Sequence, residues 1–597
     1  MKLYIKSIAY SLKLIYKSTK FTIGLYFILK IILSTVPLVN TYIIKCIFDL
    51  LSVRQPDITQ LSMYIALYVA VLIVSNALNS FNGIIHDGIY KKADHEYEKQ
   101  LLYKLTDLPM SVIDSSWGKD ATNEVRRVKG DVLHSADGLI DIIAKFYTFT
   151  VAFIVIAKFD IVFSAIFLML TIPGILVDII WDSKMVDLQI RTAPDMRKFS
   201  YYRWMLTDAG PAKDVRMYDL TASIKTRHDE EKNKFRDINK QLDKKRLLGW
   251  LLAEIIRRSG EIAFTVFVIT KAVKGEIGIG DITLYIGYSV TAGDSFQSAV
   301  SALFMSYRRI TKLMKHFYEF MALEDQSENV CRRNLCDFES LEFRNVYFKY
   351  PMTETYVLQG VDFILKKGDK MSIVGINGSG KSTIVKLILG LYKINSGIIL
   401  INGHPMEEYD IKDVRKLFSV LFQGFVQYPL TLRENIALSD IEKDTDNDEA
   451  VVSAMKKSGV YDEIESKLNH GLDSYMTRQF DEEGVELSRG QWQKIALARA
   501  YYKDAPIVIF DEPSAALDAE AEDRIFRNFD EVSGDKTCIM ISHRISSARM
   551  SNVILVLDGG RITEIGNHEE LLQKNGLYSK LYNLQKQKYT MKEDAVI

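Results

Sequence analysis

The stretch MSIVGINGSGKST, Met371 to Thr383, decides how the second half of the chain is read. An apolar strand pattern runs into Gly375. A turn follows through Asn377, Gly378, Ser379 and Gly380, and Lys381, Ser382 and Thr383 then open the helical run IVKLILGLY. The spacing Gly375-x-x-x-x-Gly380-Lys381-Ser382 between a strand and a helix is that of a P-loop. Glycines let backbone N–H groups converge on phosphate oxygens, the lysine supplies a point charge, and the serine hydroxyl suits a Mg²⁺ ligand. The helix start adds favourable partial charge toward an anion.

Two further stretches lie downstream. In PIVIFDEPSAALD, Pro506 to Asp518, a buried-type apolar strand ends on Asp511 and Glu512. Ligands in open α/β sheets sit at the C-terminal ends of strands. Asp511 is therefore expected to hold Mg²⁺ and Glu512 to act as general base on an attacking water. The third stretch is GVELSRGQWQKIALARA, Gly484 to Ala500.

Together the three stretches resemble the motif set of ABC ATPases, and the chain resembles a bacterial exporter-type half-transporter. The third stretch is similar to the family signature Leu-Ser-Gly-Gly-Gln, here Leu487-Ser488-Arg489-Gly490-Gln491 with arginine in place of the middle glycine. The resemblance implies ATP and Mg²⁺ as cofactors, with Ser382, Gln423 and Asp511 around the metal. Tyr350, in FKYP, would stack on adenine, or is a strand tyrosine of the core. Gln423, in VLFQ, would reach the metal and the attacking water. His543 would contact the γ-phosphate, and Ser514 to Asp518 would sense the opposite ATPase domain. Ser488, Arg489, Gly490 and Gln491 would meet the nucleotide held by the P-loop of a second copy, or of a related half-transporter. Arg489 either adds a phosphate or cross-domain contact or is simply solvated. Short helices at Val112–Trp117 and Pro211–Tyr218 would dock on ATPase domains.

Working toward the N-terminus, Glu324 to Glu339 is mostly polar and reads as a linker, dividing residues 1–323 from an ATPase domain at 340–590 and a tail at 591–597. Strands are expected at Lys370–Val374, Gly397–Ile401 and Ile507–Phe510, in a parallel sheet flanked by helices. Before the linker the pattern changes to long apolar runs. A spanning helix needs about 20 apolar residues. Phe21–Cys46, Ser62–Ile84, Leu139–Ala157, Ile161–Trp181, Leu248–Val273 and Ile282–Ser306 are the expected spans. The fold class expected is therefore a membrane α-helical domain of six spans, similar to type I ABC exporters, plus an α/β P-loop ATPase domain.

Lysine and arginine crowd the N-terminus and the loops after the second and fourth runs, as in Lys91, Lys92, Arg126, Arg127, Lys244, Lys245 and Arg246. The positive-inside rule places these and the ATPase domain in the cytoplasm, with the chain multi-pass in the cell membrane. The N-terminal MKLYIKSIAYSLKLIYKSTK shows no cleavage pattern and reads as an interfacial helix.

The 597 residues carry zero net charge, so nothing global draws the chain to nucleic acid. Cys46, Cys331, Cys336 and Cys538 are scattered and are expected to be free thiols. Glu254, Arg257, Arg258 and Glu261 share one helical face inside the fifth run. They form either a cavity wall that touches cargo or an ion-paired seam between helices, and Asp294 is a second, lonelier charge. Similarity to exporters of modified peptides suggests a peptide cargo. A lipid or multidrug cargo is the alternative, and with no N-terminal Cys/His peptidase domain expected, leader cleavage would fall to another protein.

Overall fold

The structure, a computed structural model, describes residues 2–53, 57–323, 333–335, 337–443, 447–512, 536–542 and 548–593. The chain forms two compact units, Met1–Thr106 with Asp120–Leu323, and Asp107–Lys119 with Glu324–Ile597. A short stretch from the first half of the sequence thus belongs to the second unit.

The helices of the first half, in order, are α1 (Lys2–Thr19), α2 (Thr22–Leu51), α3 (Ile58–Asp107), α4 (Met110–Ile113), α5 (Ser116–Phe159), α6 (Ile161–Arg191), α7 (Ala193–Thr207), α8 (Ala209–Met217), α9 (Thr221–Val273) and α10 (Ile279–Met321). Among the described residues, α2, α3, α5 and α6 are long and apolar enough to cross a membrane. Much of their apolar surface is turned outward, as at Ile65, Ile73, Val74 and Ile166, which suits lipid rather than water. The fifth and sixth expected spans lie on α9 and α10. Charges interrupt them, so composition alone does not mark either as a span.

Leu38, Ala152, Ile156, Phe264, Val268, Leu284, Tyr288 and Ala292 bury together as the core of this unit. Alongside it runs an ion network. Arg257, with a side chain only 8% exposed, reaches Glu254 at 2.9 Å, Glu261 at 3.1 Å and Asp294 on α10 at 2.6 Å. Arg258 reaches Glu254 at 2.8 Å and Glu261 at 2.6 Å. Both expected i,i+4 pairs form, and Asp294 is not lonely. The geometry is that of an ion-paired seam between α9 and α10.

The short loop helices differ from expectation. Helix α4 covers Met110–Ile113 and not Val112–Trp117, because Pro109 sets an extended entry with φ −60° and ψ 144°. Ser115 Oγ then accepts from the Gly118 N–H and the chain re-enters helix at Ser116. Helix α8 starts two residues before Pro211, where the Asp208 side chain accepts from the Gly210 N–H as an N-cap.

The second unit holds ten strands among its described residues, β1 (Ser340–Phe348), β2 (Leu358–Lys366), β3 (Lys370–Gly375), β4 (Ser396–Ile401), β5 (His404–Pro405), β6 (Phe418–Leu421), β7 (Ile507–Asp511), β8 (Thr537–Ile541), β9 (Val553–Asp558) and β10 (Arg561–Gly566). One sheet has the order β10-β9-β3-β8-β7-β6, parallel except at β10. The other, β2-β1-β4-β5, is antiparallel. The expected strand Gly397–Ile401 is therefore present but lies outside the parallel sheet. The Asn402-Gly403 turn after it, with φ of +53° and +77°, closes a hairpin onto β5. Buried side chains of both sheets, including Leu341, Phe343, Met371, Ile373, Ile384 and Ile509, form one core.

Candidate functional site

Strand β3 runs between β8 and β9 with Met371, Ser372, Ile373 and Val374 buried, and delivers the chain to Gly375 at its C-terminal end. A Cβ at Gly375 would lie 2.2 Å from the Leu557 carbonyl oxygen, so no other residue fits there. Gly380, at φ +105°, takes a backbone shape that side chains disfavour and leads directly into the helix Lys381–Ile388.

The loop between these glycines is arranged around groups that lack their final partners. Lys381 Nζ donates to its own loop's carbonyls at Gly375 and Ile376, both at 2.9 Å. Burial pushes its pKa down, with Glu512 and Asp511 pulling the other way. Ser379 Oγ is buried and has no hydrogen-bond partner among the described residues. The first N–H groups of the helix face the loop, as at any helix start. An orphaned hydroxyl, an ammonium resting on carbonyls and glycines with no room for a Cβ fit a phosphate chain.

Strand β7 is buried throughout and ends on Asp511. Ser382 Oγ donates to Asp511 Oδ1 at 3.3 Å, so a hydroxyl and a carboxylate converge as a Mg²⁺ pair requires. Asp511 is buried, and desolvation holds its pKa above the usual carboxylate range. Ser382's hydrogen bond opposes this shift and the neighbouring Glu512 adds to it. Glu512 sits in the left-handed region at φ +54°, held by its N–H on the Ile541 carbonyl at 2.9 Å. Such a backbone in a non-glycine residue is costly and is a recurrent mark of functional sites. Gln423, just beyond β6, donates from Nε2 to Glu512 Oε2 at 2.6 Å. The structure thus brings Lys381, Ser382, Asp511, Glu512 and Gln423 to one end of one sheet.

Ser488, Arg489, Gly490 and Gln491 form a separate group. Ser488 caps the helix Arg489–Lys503, its Oγ accepting from the Gln491 N–H while Gln491 Oε1 accepts from the Ser488 N–H. Arg489 is exposed at the first helical position. Farther along this helix, Arg499 donates to the Asn435 carbonyl at 2.8 Å and to the Val426 carbonyl at 2.8 Å, with burial pushing its pKa down to about 10. The signature helix is thereby tied to the segment that follows Gln423.

Residues 358–515 match the ABC transporter family. The fold matches a bacterial Atm1-family ABC exporter with ATP bound, at TM-score 0.80 and 21% identity, covering 94% of this chain and 98% of that one. The chain carries an ABC transporter domain. It is 27% identical to the nisin transport ATP-binding protein NisT of Lactococcus lactis over 96% of its own length and 95% of that protein's. It is 35% identical to the subtilin transport ATP-binding protein SpaT of Bacillus subtilis over 64% of its length, a match spanning 62% of the SpaT chain. It is also 40% identical to the ATP-dependent lipid A-core flippase of Pectobacterium atrosepticum, over 41% of each chain.

Three sequence expectations for this domain concern residues away from the cluster just described. Tyr350 is half-buried beside the P-loop helix, its Oη 3.1 Å from Thr383 Oγ1 and its ring edge-on to Phe348 and Tyr392. His543 and Ser514–Asp518 lie outside the described residues. Sequence reading missed the neighbourhood of Tyr350. Lys386 donates to Tyr350 Oη, and Tyr392 Oη donates to Asp114; burial, and after it this hydrogen bond, raise the pKa of Tyr392. Tyr392 closes the quoted run IVKLILGLY, so its aromatic ring was in view. Asp114 lies far off in sequence, and nothing in its own surroundings announces the contact.

Proposed function

We propose that the chain is one half of an ATP-driven exporter, with six membrane spans, a cytoplasmic ATPase domain, and a second copy or related half-transporter as partner. The observation that carries this is the meeting of Ser382 with Asp511 and of Gln423 with Glu512 at the mouth of the P-loop. With MgATP bound, the nucleotide supplies the phosphoryl group that is transferred to water. Lys381 would turn from its loop carbonyls to the β- and γ-phosphates, and Ser382, Asp511 and Gln423 would hold the metal. Glu512, already hydrogen-bonded to Gln423, would accept the water's proton. Ser488, Arg489, Gly490 and Gln491 would complete the partner's site, with Tyr350 against adenine and His543 at the γ-phosphate. The fifth and sixth spans are assigned to α9 and α10, whose charges pair with one another and so need not face lipid.

A modified peptide is the favoured cargo. The similarity to NisT runs along nearly the whole chain, whereas the flippase match covers 41% of it. Purified protein in detergent should hydrolyse MgATP, and added nisin should raise the rate where lipid A-core does not. A preparation that binds no ATP contradicts the proposal. Stimulation by the lipid alone favours the lipid reading.

A further inference from the structure

Strand β6 ends at Leu421, and the stretch after it brings Gln423 to Glu512. None of residues 423–429 makes a backbone–backbone hydrogen bond among the described residues. Phe425 packs against the core, while Gln423, Gly424, Val426 and Gln427 are exposed. Two polar side chains hold the stretch instead. Asn435, in the helix Leu432–Ala437, is fully buried, and its Nδ2 faces the carbonyls of Tyr428 at 3.0 Å, Leu430 at 3.1 Å and Thr431 at 3.0 Å. Arg499 donates from Nη2 to Asn435 Oδ1 at 2.7 Å, from Nε to the Asn435 carbonyl at 2.8 Å, and from Nη1 to the Val426 carbonyl at 2.8 Å. Its guanidinium lies 4.8 Å from the centre of the Tyr428 ring.

No carboxylate answers this charge among the described residues. The helix Arg489–Lys503 does not need the side chain for packing, since Trp492, Ile495, Leu497 and Tyr501 already bury it in the core. A guanidinium drawn from water without a counter-ion is costly, and the donors of this one go to Val426 and to the amide that holds the rest of the loop. Only Phe422 to Phe425 lie between Leu421, fixed in the sheet, and Val426, fixed by Arg499. A chain spans at most about 3.5 Å per residue, so these two anchors leave Gln423 little freedom to move away from Glu512.

We infer that Arg499 is a positioning residue for ATP hydrolysis: through Asn435 and the Val426 carbonyl it carries the placement of the signature helix to Gln423, and so sets how Gln423 meets Glu512. The inference rests on the exporter reading, in which Gln423 and Glu512 attend the metal and the attacking water, and adds a residue that touches neither.

The test is a double-variant cycle on the full chain in detergent, with steady-state MgATP hydrolysis expressed per site that binds ATP. Arg499→Lys keeps the charge but loses the planar fork. Its kcat should fall about tenfold with KM for ATP within about twofold, because no group that holds the phosphates is altered. Gln423→Ala should fall at least as far. The double variant should be no slower than Gln423→Ala alone, since Arg499 then has nothing left to position. Losses that multiply in the double variant would make Arg499 a structural prop and overturn the inference, as would an Arg499→Lys kcat equal to the wild type's. If Arg499→Lys does not fold, Asn435→Asp, which keeps an oxygen for Arg499 but no donor for the three carbonyls, enters the same cycle with the same outcomes. Absence of ATP hydrolysis in the wild type is a different failure, that of the exporter reading.

Discussion

The P-loop of the second unit and the charged face of α9 in the first both place lysine, arginine and carboxylates in partly buried surroundings, yet they are finished differently. Around the P-loop, Lys381 rests on its own loop's carbonyls, and Ser379 Oγ has no hydrogen-bond partner among the described residues. On α9, Arg257 meets three carboxylates. Polar groups left incomplete inside a fold point to a ligand, and groups that complete one another point to a seam.

The sharpest way to break this comparison is at Glu512. Glu512→Gln should lower steady-state ATP hydrolysis by roughly 10³-fold while leaving ATP binding intact, since the amide cannot accept the water's proton. Normal turnover would take the general base away from this residue. On the other side of the comparison, Arg257→Met should cost about 3 kcal/mol of stability by taking from Asp294 its Arg257 partner and leaving Arg258 alone to answer Glu254 and Glu261. A thermal melt in detergent reads this, and an unchanged melt with lost transport would return the α9 face to cargo contact.

A smaller effect concerns Asp511. Its folded pKa is raised by burial, so the folded state holds the proton more tightly than the unfolded one. Stability without nucleotide therefore declines as pH rises from the ordinary carboxylate value through the raised one. Asp511→Asn should remove that decline and raise the nucleotide-free melting temperature at neutral pH by about 2 °C. The variant should also lose the stabilisation that MgATP gives the wild type. The smallest effect is expected at Arg489. It is exposed and makes no hydrogen bond or ion pair among the described residues, so Arg489→Gly should change ATP turnover by less than about twofold. A larger loss would assign the guanidinium to the nucleotide or to the opposite domain.

How legible each region was follows from how local its determinants are. The P-loop, Asp511-Glu512 and the cap at Ser488 are written in contiguous residues whose backbone shape fixes their chemistry. Their strands and helices appear where the spacing placed them. Glu254–Arg258 and Arg257–Glu261 were legible too, being neighbours on one helix. What stayed hidden depends on distant partners. Asp294 looked solitary because Arg257 is far from it in sequence, and Asp114 gave no sign of Tyr392. The strand at Ser396–Ile401 was visible, but its sheet was misassigned, although Asn402-Gly403 was a hairpin signal available in the sequence. Pro109 likewise announced an earlier start for α4 than apolar pattern alone suggested.

The claim underlying the whole account is that each ATP is held by the P-loop of one copy and the signature segment of the other. Mixing two inactive variants tests it directly. Copies carrying Lys381→Ala and copies carrying Ser488→Arg should each fail to hydrolyse ATP alone. Mixed dimers would contain one intact site built from the good half of each, and should recover about a quarter of the wild-type rate. A mixture as inactive as its two components would contradict a site shared between copies.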